Sequence, residues 1–427
     1  NKPVKRSVDR FVYDVRAAGA LADGKTPATA EFQAALDACG KDGGGYVRVP
    51  PGEYLIGSIE IPSSTTLLLE KGATLLGSAN LADYPITKVR WEGRWVDGHR
   101  GLVFADGASH IAIDGPGRVI GSPKLGGREM PRRPCVIELL RCRDVLLRDF
   151  STQQQRMWTI HPTLCQDVSV RNLTIRSTGG NGDGIDLDSC RNVNISYCDF
   201  ETGDDCIALK SGRGMDAYKA AEPTEHVAIS NCKLGDNIFA DIGIGSETSG
   251  GIHDVTISDC LFTHANTYCI YIKSHIGRGA SIDNISATNL VVQNATKGFL
   301  RINLISSGRT DADPVPGAQG VPAGKNFSFA NVKLADCRTL VDAFEISPEK
   351  PLDGFSLSDI SGECERGMIL ANMKNVAIRR IMARISKGPM LAVANVSGAG
   401  LQGAARYIPS TAPSTRRATT RPADTGD

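Results

Sequence analysis

Along most of this chain the apolar residues fall in a short two-part unit that reads apolar, x, apolar, x, x, apolar, x, apolar. It occurs as Val168, Val170, Leu173, Ile175, then as Val193, Ile195, Cys198, Phe200, and again as Val227, Ile229, Cys232, Leu234. Further copies start at Val255, Ile285, Phe327, Phe355 and Val376, so successive starts are 25, 34, 28, 30, 42, 28 and 21 residues apart. Alternation inside each half predicts a strand, the extra residue predicts a bend between two strands, and the polar stretch before the next copy predicts a loop on one side. A unit of this size cannot bury its apolar face alone and must stack on its neighbours. The fold class expected is all-β: a single-stranded, right-handed parallel β-helix. A β-sandwich or propeller would instead ask for tight Asn-Gly hairpins at short, regular intervals.

Two segments depart from the repeat. Residues Thr29 to Lys41 place Phe32, Ala35, Leu36 and Cys39 at helical spacing before a run of glycines, which predicts a helix capping the N-terminal end. Short β runs punctuated by Pro-Pro-Gly and Lys-Gly turns follow from Gly45. After Ile408 the pattern ends. Residues 409–427 are rich in Ser, Thr, Pro and Arg without apolar periodicity, and are expected to form a disordered tail behind a single domain spanning 1–408.

Composition narrows the partners. With 48 basic and 47 acidic residues, net charge +1, there is no basic surplus for nucleic acid, and no apolar run reaches the 18 residues of a membrane span. The first residue is Asn1 and no charged-then-apolar leader precedes the repeat; the expectation is a secreted or periplasmic protein whose signal peptide is not in this chain. The twelve cysteines include no CxxC pair and no metal-like spacing, so neither metal nor cofactor is called for. Cys198, Cys232 and Cys260 hold one inward position in three successive units and are expected to be reduced, buried core filler.

Chemistry concentrates between Asn181 and Gly212. Asp183 stands 21 and 22 residues before Asp204 and Asp205, about one coil of the repeat, so the three side chains converge on one face. Neighbouring strands lie about 4.8 Å apart. Carboxylates held that close cannot all ionise easily, which separates their pKa values as an acid and base pair requires. Asp186 and Asp188, in the same run, are read as satisfying turn amides or lining the coil edge.

These residues carry a resemblance. From about Phe11 to Pro409 the chain resembles glycoside hydrolase family 28, the polygalacturonase family. The likeness runs through ADGKTPATAEFQAALDACGKDGGG near the start, LEKGATLLGS, and above all Asn181-Gly182-Asp183, which falls on the family's Asn-Thr-Asp, and Gly203-Asp204-Asp205, which matches its Gly-Asp-Asp. The resemblance implies hydrolysis of a glycosidic bond with inversion. Asp204 would be the general acid, with Asp183 and Asp205 positioning and deprotonating the attacking water. An inverting pair keeps its carboxyls about 6.5–9.5 Å apart. The substrate implied is a uronate-containing polysaccharide or oligosaccharide of the pectin type, contacted by Asn181, Tyr271, Lys273 and Arg301.

Two departures from the family's pattern stand out. Its Gly-His-Gly, just before an Ile-Gly-Ser, is replaced in the stretch Asn237 to Ser246, which contains no histidine, and its Arg-Ile-Lys is replaced by Tyr271-Ile272-Lys273. The histidine is taken to tune the acid cluster, and the arginine grips a substrate carboxylate as a planar fork that a lone lysine cannot reproduce. Lys273, Arg301 or Lys210 remain to meet a carboxylate, and the Tyr271 ring offers a flat face for stacking on a sugar. The sequence leaves two rivals open: a polysaccharide lyase, which needs a basic proton abstractor, and a carbohydrate-binding β-helix without catalysis.

Overall fold

The computed structural model describes residues 11–122, 124, 125, 130–153 and 157–408. It is a right-handed parallel β-helix of stacked, in-register coils. The expected unit is reproduced residue by residue: Val168 pairs with Val193, Val193 with Val227, Val227 with Val255, Val255 with Ile285, Ile285 with Phe327, and Phe327 with Phe355. The repeat also extends further toward the N-terminus than the units named above, through Val145 and Ile111.

The extra residue of each unit has a specific conformation. Asn172, Tyr197, Asn231, Asp259, Asn289 and Asn331 all have φ between 51° and 56°, the left-handed region that Asn and Asp tolerate best. Each turns the strand so that the next apolar pair points inward again. The corner amides also bond down the stack. Asn172 Nδ2 donates to Asp149 at 2.8 Å, Asn289 to Asp259 at 3.1 Å and Asn331 to Asn289 at 2.7 Å. A second amide row runs through Asn284 and Asn326 at 2.8 and 2.9 Å.

Inward residues fill one continuous core in which Phe200, Leu234, Phe262 and Val292 lie on successive coils. Burying each such side chain contributes on the order of 1.5–3 kcal/mol. All twelve cysteines are free and buried, those of the Cys198–Cys232–Cys260 row included. The helix Thr29–Lys41 lies against Val12–Asp14, Gly45–Val49 and Ile59–Glu60 at the N-terminal end. Its four predicted inward residues are the four that are buried, and the Phe32 ring meets Tyr54 edge-on at 5.3 Å. The chain stays in the helix to Ala405–Arg406, and the expected tail, 409–427, lies outside the described residues.

One element interrupts the coils. An antiparallel hairpin, Ile86–Trp91 with Arg94–His99, leaves the stack before Val103–Asp106 and folds back over the outer face of the sheet. It is held there by Val89 on Phe104 and Leu140, and by the Trp91 ring on Trp158 at 5.0 Å.

Candidate active site

Stacking turns sequence distance into contact. Ile185–Asp188 pairs with Ile207–Lys210, so the loops that precede these strands lie side by side: Asp183 comes from the first, Asp204 and Asp205 from the second. The backbone fits tightly here. A Cβ at position 203 would fall on the Gly179 backbone, so the Gly-Asp-Asp loop can approach its neighbour only with glycine in that place. Asp183, Asp204 and Asp205 each present one oxygen within 4.8 Å of the others. That approach is closer than the roughly 6.5–9.5 Å between carboxyl groups expected of an inverting pair.

The three carboxyls are held differently. Asp205 accepts the Ala240 N–H at 3.1 Å on one oxygen and the Lys273 ammonium at 2.7 Å on the other. Asp204 accepts the Asn181 N–H at 3.2 Å and the Asp205 N–H at 3.1 Å, and is half-buried. Asp183 is buried, and its Oδ1 has no hydrogen-bond donor. Burial, followed by the nearby Asp186 and Asp204, pushes the Asp183 carboxyl well above the usual range. Asp204 is also raised, by burial and then by Asp205, although Lys273 opposes the shift. Burial and like charge thus favour the protonated forms of Asp183 and Asp204, and carboxyls this close do not titrate independently.

A second buried charge group lies one step along the sheet. Lys210 reaches Asp186 at 3.4 Å and Glu247 at 3.7 Å, and lies over the Trp158 ring at 4.8 Å. One ammonium cannot neutralise two buried carboxylates. Burial opposes ionisation of Glu247, but Lys210 and Arg278 bring it down to about 2, whereas burial dominates at Asp186 and pushes it up to about 8. The turn-amide reading of Asp186 is not what the structure has: neither of its oxygens accepts a hydrogen bond. Asp188 is structural, taking the Arg90 guanidinium at 3.2 and 3.1 Å and the Gly212 N–H.

Asn181, Asp183, Asp204, Asp205 and Lys273 line one cleft of about 340 Å³. Tyr271 stands at its border, its ring 5.9 Å from that of Phe239 and tilted by 31°, with its hydroxyl 3.2 Å from Ser307 Oγ. Arg301 is one coil further on, in register with Tyr271, and is already bound to Asp342 and Glu345. No histidine lines the cleft among the described residues; His226, His253 and His264 pair with Asp254, Asp283 and Asp236 elsewhere.

Several lining residues had no sequence signal. Phe239, whose ring lies 4.6 Å from the Lys273 ammonium, falls inside the stretch that departs from the family motif. Glu92, Arg213, Arg278 and Arg309 come from four separate loops; Asp311, two residues after Arg309, receives Arg213 at 3.1 Å and Arg278 at 2.7 Å, and Arg309 pairs with Glu92. Besides the Asp183 trio, Cys135, Glu138 and His161 are the other described group with donors close enough for a metal. A protein cation is already there: the Arg132 guanidinium pairs with Glu138 and lies 2.9 Å from Cys135 Sγ.

Comparison with known proteins gives the family. Residues 39–335 match glycosyl hydrolases family 28. A protein of Vitis vinifera named a probable polygalacturonase is 29% identical over 361 residues, covering 80% of this chain and 72% of that one. An endo-polygalacturonase of Pectobacterium carotovorum subsp. carotovorum is 27% identical over 303 residues, covering 65% and 71%. The crystal structure of a hyperthermoactive exopolygalacturonase from Thermotoga maritima superposes with a TM-score of 0.74 at 25% identity, covering 87% of this chain and 92% of that one.

Asp186 makes a stability prediction. Its carboxyl titrates near pH 8 in the fold and near 3.8 when free, so between those values the unfolded chain binds fewer protons and stability falls as pH rises. Glu247, depressed to about 2, acts in the opposite sense but only below its ordinary value of 4.5. Melting temperature should therefore decline from pH 5 to 8 in the wild type, and Asp186→Asn should flatten that decline. Scanning calorimetry of both proteins measures it; parallel profiles would mean that Asp186 is ionised throughout.

Proposed function

We propose that this chain, which belongs to glycosyl hydrolases family 28 and is a glycoside hydrolase, cleaves uronate-containing pectin-type polysaccharides with inversion at the anomeric carbon. The observation that carries the reading is the convergence of Asp183, Asp204 and Asp205 on one cleft with Lys273 beside them. Asp204, raised in pKa and the most accessible of the three, donates its proton to the leaving glycosidic oxygen. Asp183, with an oxygen that accepts no hydrogen bond from the protein, and Asp205, fixed by Lys273 and the Ala240 amide, hold the attacking water and take up its proton. The short approach of the oxygens favours a water bound between carboxyls, in hydrogen-bond contact with more than one of them. A polymeric substrate of this kind is met outside the cytosol, in keeping with a secreted or periplasmic protein.

The substrate follows from how the cations are used. Lys210, Lys273, Arg213, Arg278 and Arg309 each have an acidic partner within the protein, and so does Arg301. A substrate carboxylate must compete for an ammonium or guanidinium that is already paired. Phe239 and Tyr271 present aromatic faces instead, which suit stacking on a sugar ring. These features favour a mixed or decorated backbone, such as rhamnogalacturonan or a substituted galacturonan, over plain homogalacturonan.

Three measurements test the proposal. Asp204→Asn should lower kcat on rhamnogalacturonan or decorated galacturonan by about 10²–10⁴, the usual worth of a general acid. Its melting temperature should be unchanged or slightly higher, because one member of a like-charged group is removed. Activity close to wild type would reassign the acid. Proton NMR of the earliest product, before mutarotation, should show the opposite anomer to the substrate linkage; a retained configuration would make one of the carboxylates a nucleophile. Tyr271→Arg should raise the ratio of kcat/KM on homogalacturonan to that on rhamnogalacturonan by roughly tenfold, the value of one charge-assisted hydrogen bond of about 1.4 kcal/mol. A wild-type enzyme that already prefers unmodified homogalacturonan would refute the substrate assignment.

A further inference from the structure

The outward-facing residues of the sheet form a single row running through the site. In register from the N-terminal side it reads Phe104, Glu138 and His161, then Asp186, Ala208, Gly243, Tyr271, Arg301, Asp342 and Ile369. Outward positions on a sheet face solvent unless something covers them. The two halves of this row differ sharply. Glu138, His161 and Asp186 are each 0% exposed, whereas Tyr271, Asp342 and Ile369 are only partly buried.

The cover on the N-terminal half is built from the hairpin Ile86–Trp91 with Arg94–His99 together with Arg132, which pairs with Glu138, and Trp158, which packs on His161. Val89 seats on Phe104 and Leu140, Arg90 holds Asp188 through two hydrogen bonds, and Trp91 closes on Trp158, whose ring also meets the His161 ring at 4.7 Å. Trp158 itself lines the cleft that contains Asp183. The hairpin is also fastened across the cleft: Arg94 pairs with Asp311 and Asp313, and Glu92 with Arg309. These contacts join it to loops more than 200 residues away in sequence. The cleft therefore meets tryptophan and paired charge on the N-terminal side of the carboxyls, whereas Tyr271, Phe344 and Ile369 on the other side are only partly buried.

We infer that this hydrolase acts on chain ends: a terminal part of the glycan occupies the blind pocket against Trp158, and the rest of the polymer leaves along the open face past Phe239 and Tyr271. Internal cleavage needs polymer on both sides of the acid, and the hairpin occupies that path on one side. The inference rests on the proposed hydrolysis of pectin-type glycans. The comparisons do not decide it, because they include both an endo- and an exo-acting relative.

The test is the product profile of the wild-type protein on polygalacturonate and on rhamnogalacturonan, with reducing-end release and viscosity followed together. The expected result is a single short product from the first minutes and almost unchanged viscosity when several per cent of the reducing ends have been released. Substrate capped at the end that enters should not be cut. A ladder of oligosaccharides with an early collapse of viscosity would overturn the chain-end inference while leaving the hydrolase reading intact. No reducing ends from any uronate glycan would overturn the hydrolase reading, and the inference with it. Replacing residues 87–98 with a two-residue Asn-Gly turn should open the blind end and shift the products toward longer oligosaccharides. If that variant does not fold, Trp91→Ala, which loosens only the contact with Trp158, should give the same shift to a smaller degree; an unchanged product distribution in a folded variant counts against the blind end.

Discussion

Everything in this molecule depends on coils stacking in strict register. The register is enforced at the corners, where residues such as Asn172 and Asn289 adopt left-handed backbone angles and bond to the corner of an adjacent coil. Slipping one coil by one residue would point its core side chains to solvent and break the amide row as well. Because the register is fixed, the separation between Asp183 and the Asp204-Asp205 pair is set by the strand spacing of about 4.8 Å and not by loop flexibility. The continuous core supplies the free energy against which a group of mutually repelling, desolvated carboxyls can be maintained.

Charge is the second constraint, and it follows from the first. In-register stacking places Asp183, Asp186, Asp204, Asp205 and Glu247 near one another, and the same geometry brings Lys210 and Lys273 among them. Burial opposes the charge of both lysines, yet Asp205 raises Lys273, and Glu247 with Asp186 raises Lys210 well above the ordinary range. Lys210, Lys273 and Arg278 are outnumbered by these carboxylates, and burial pushes Asp186 up to about 8, so at neutral pH not every carboxyl is ionised. A general acid needs that state, and no histidine has to provide it.

The period of the apolar pattern made the fold legible, because each unit carries its own strand, corner and strand, and the helix Thr29–Lys41 was equally readable from its four inward residues. The three aspartates were legible because one coil of spacing brings them together. What remained hidden depends on long-range contact. The hairpin at 86–99 has strand-forming residues but nothing in its local pattern says that Arg90 will reach Asp188, or Arg94 Asp313, 98 and 219 residues away. Asp186 looked like an ordinary turn residue because its burial among Lys210, Asp205 and Glu247, supplied by later coils, cannot be read from neighbours in the sequence. Arg301 reads as a free cation until Asp342 and Glu345, supplied by a later coil, are seen to hold it.

The two motif positions that differ from the family pattern are linked by these contacts. The stretch without histidine still serves Asp205, through the Ala240 N–H, and it also supplies Phe239 to cover the Lys273 ammonium. Gly243 leaves the room that the Asp205–Lys273 pair needs, since a Cβ there would collide with the Asp205 carboxylate. Tyr271 lies next to Gly243 in register, with the Lys273 ammonium 5.5 Å from its ring and Arg301 Cζ 5.9 Å away on the coil beyond. An arginine at 271 would put a third positive charge between two that are already present and would repel both; an aromatic ring instead attracts each of them through its face. Tyrosine at 271 is thus compatible with Lys273 committed to Asp205 and Arg301 to Asp342, each cation kept within the protein and facing an aromatic ring.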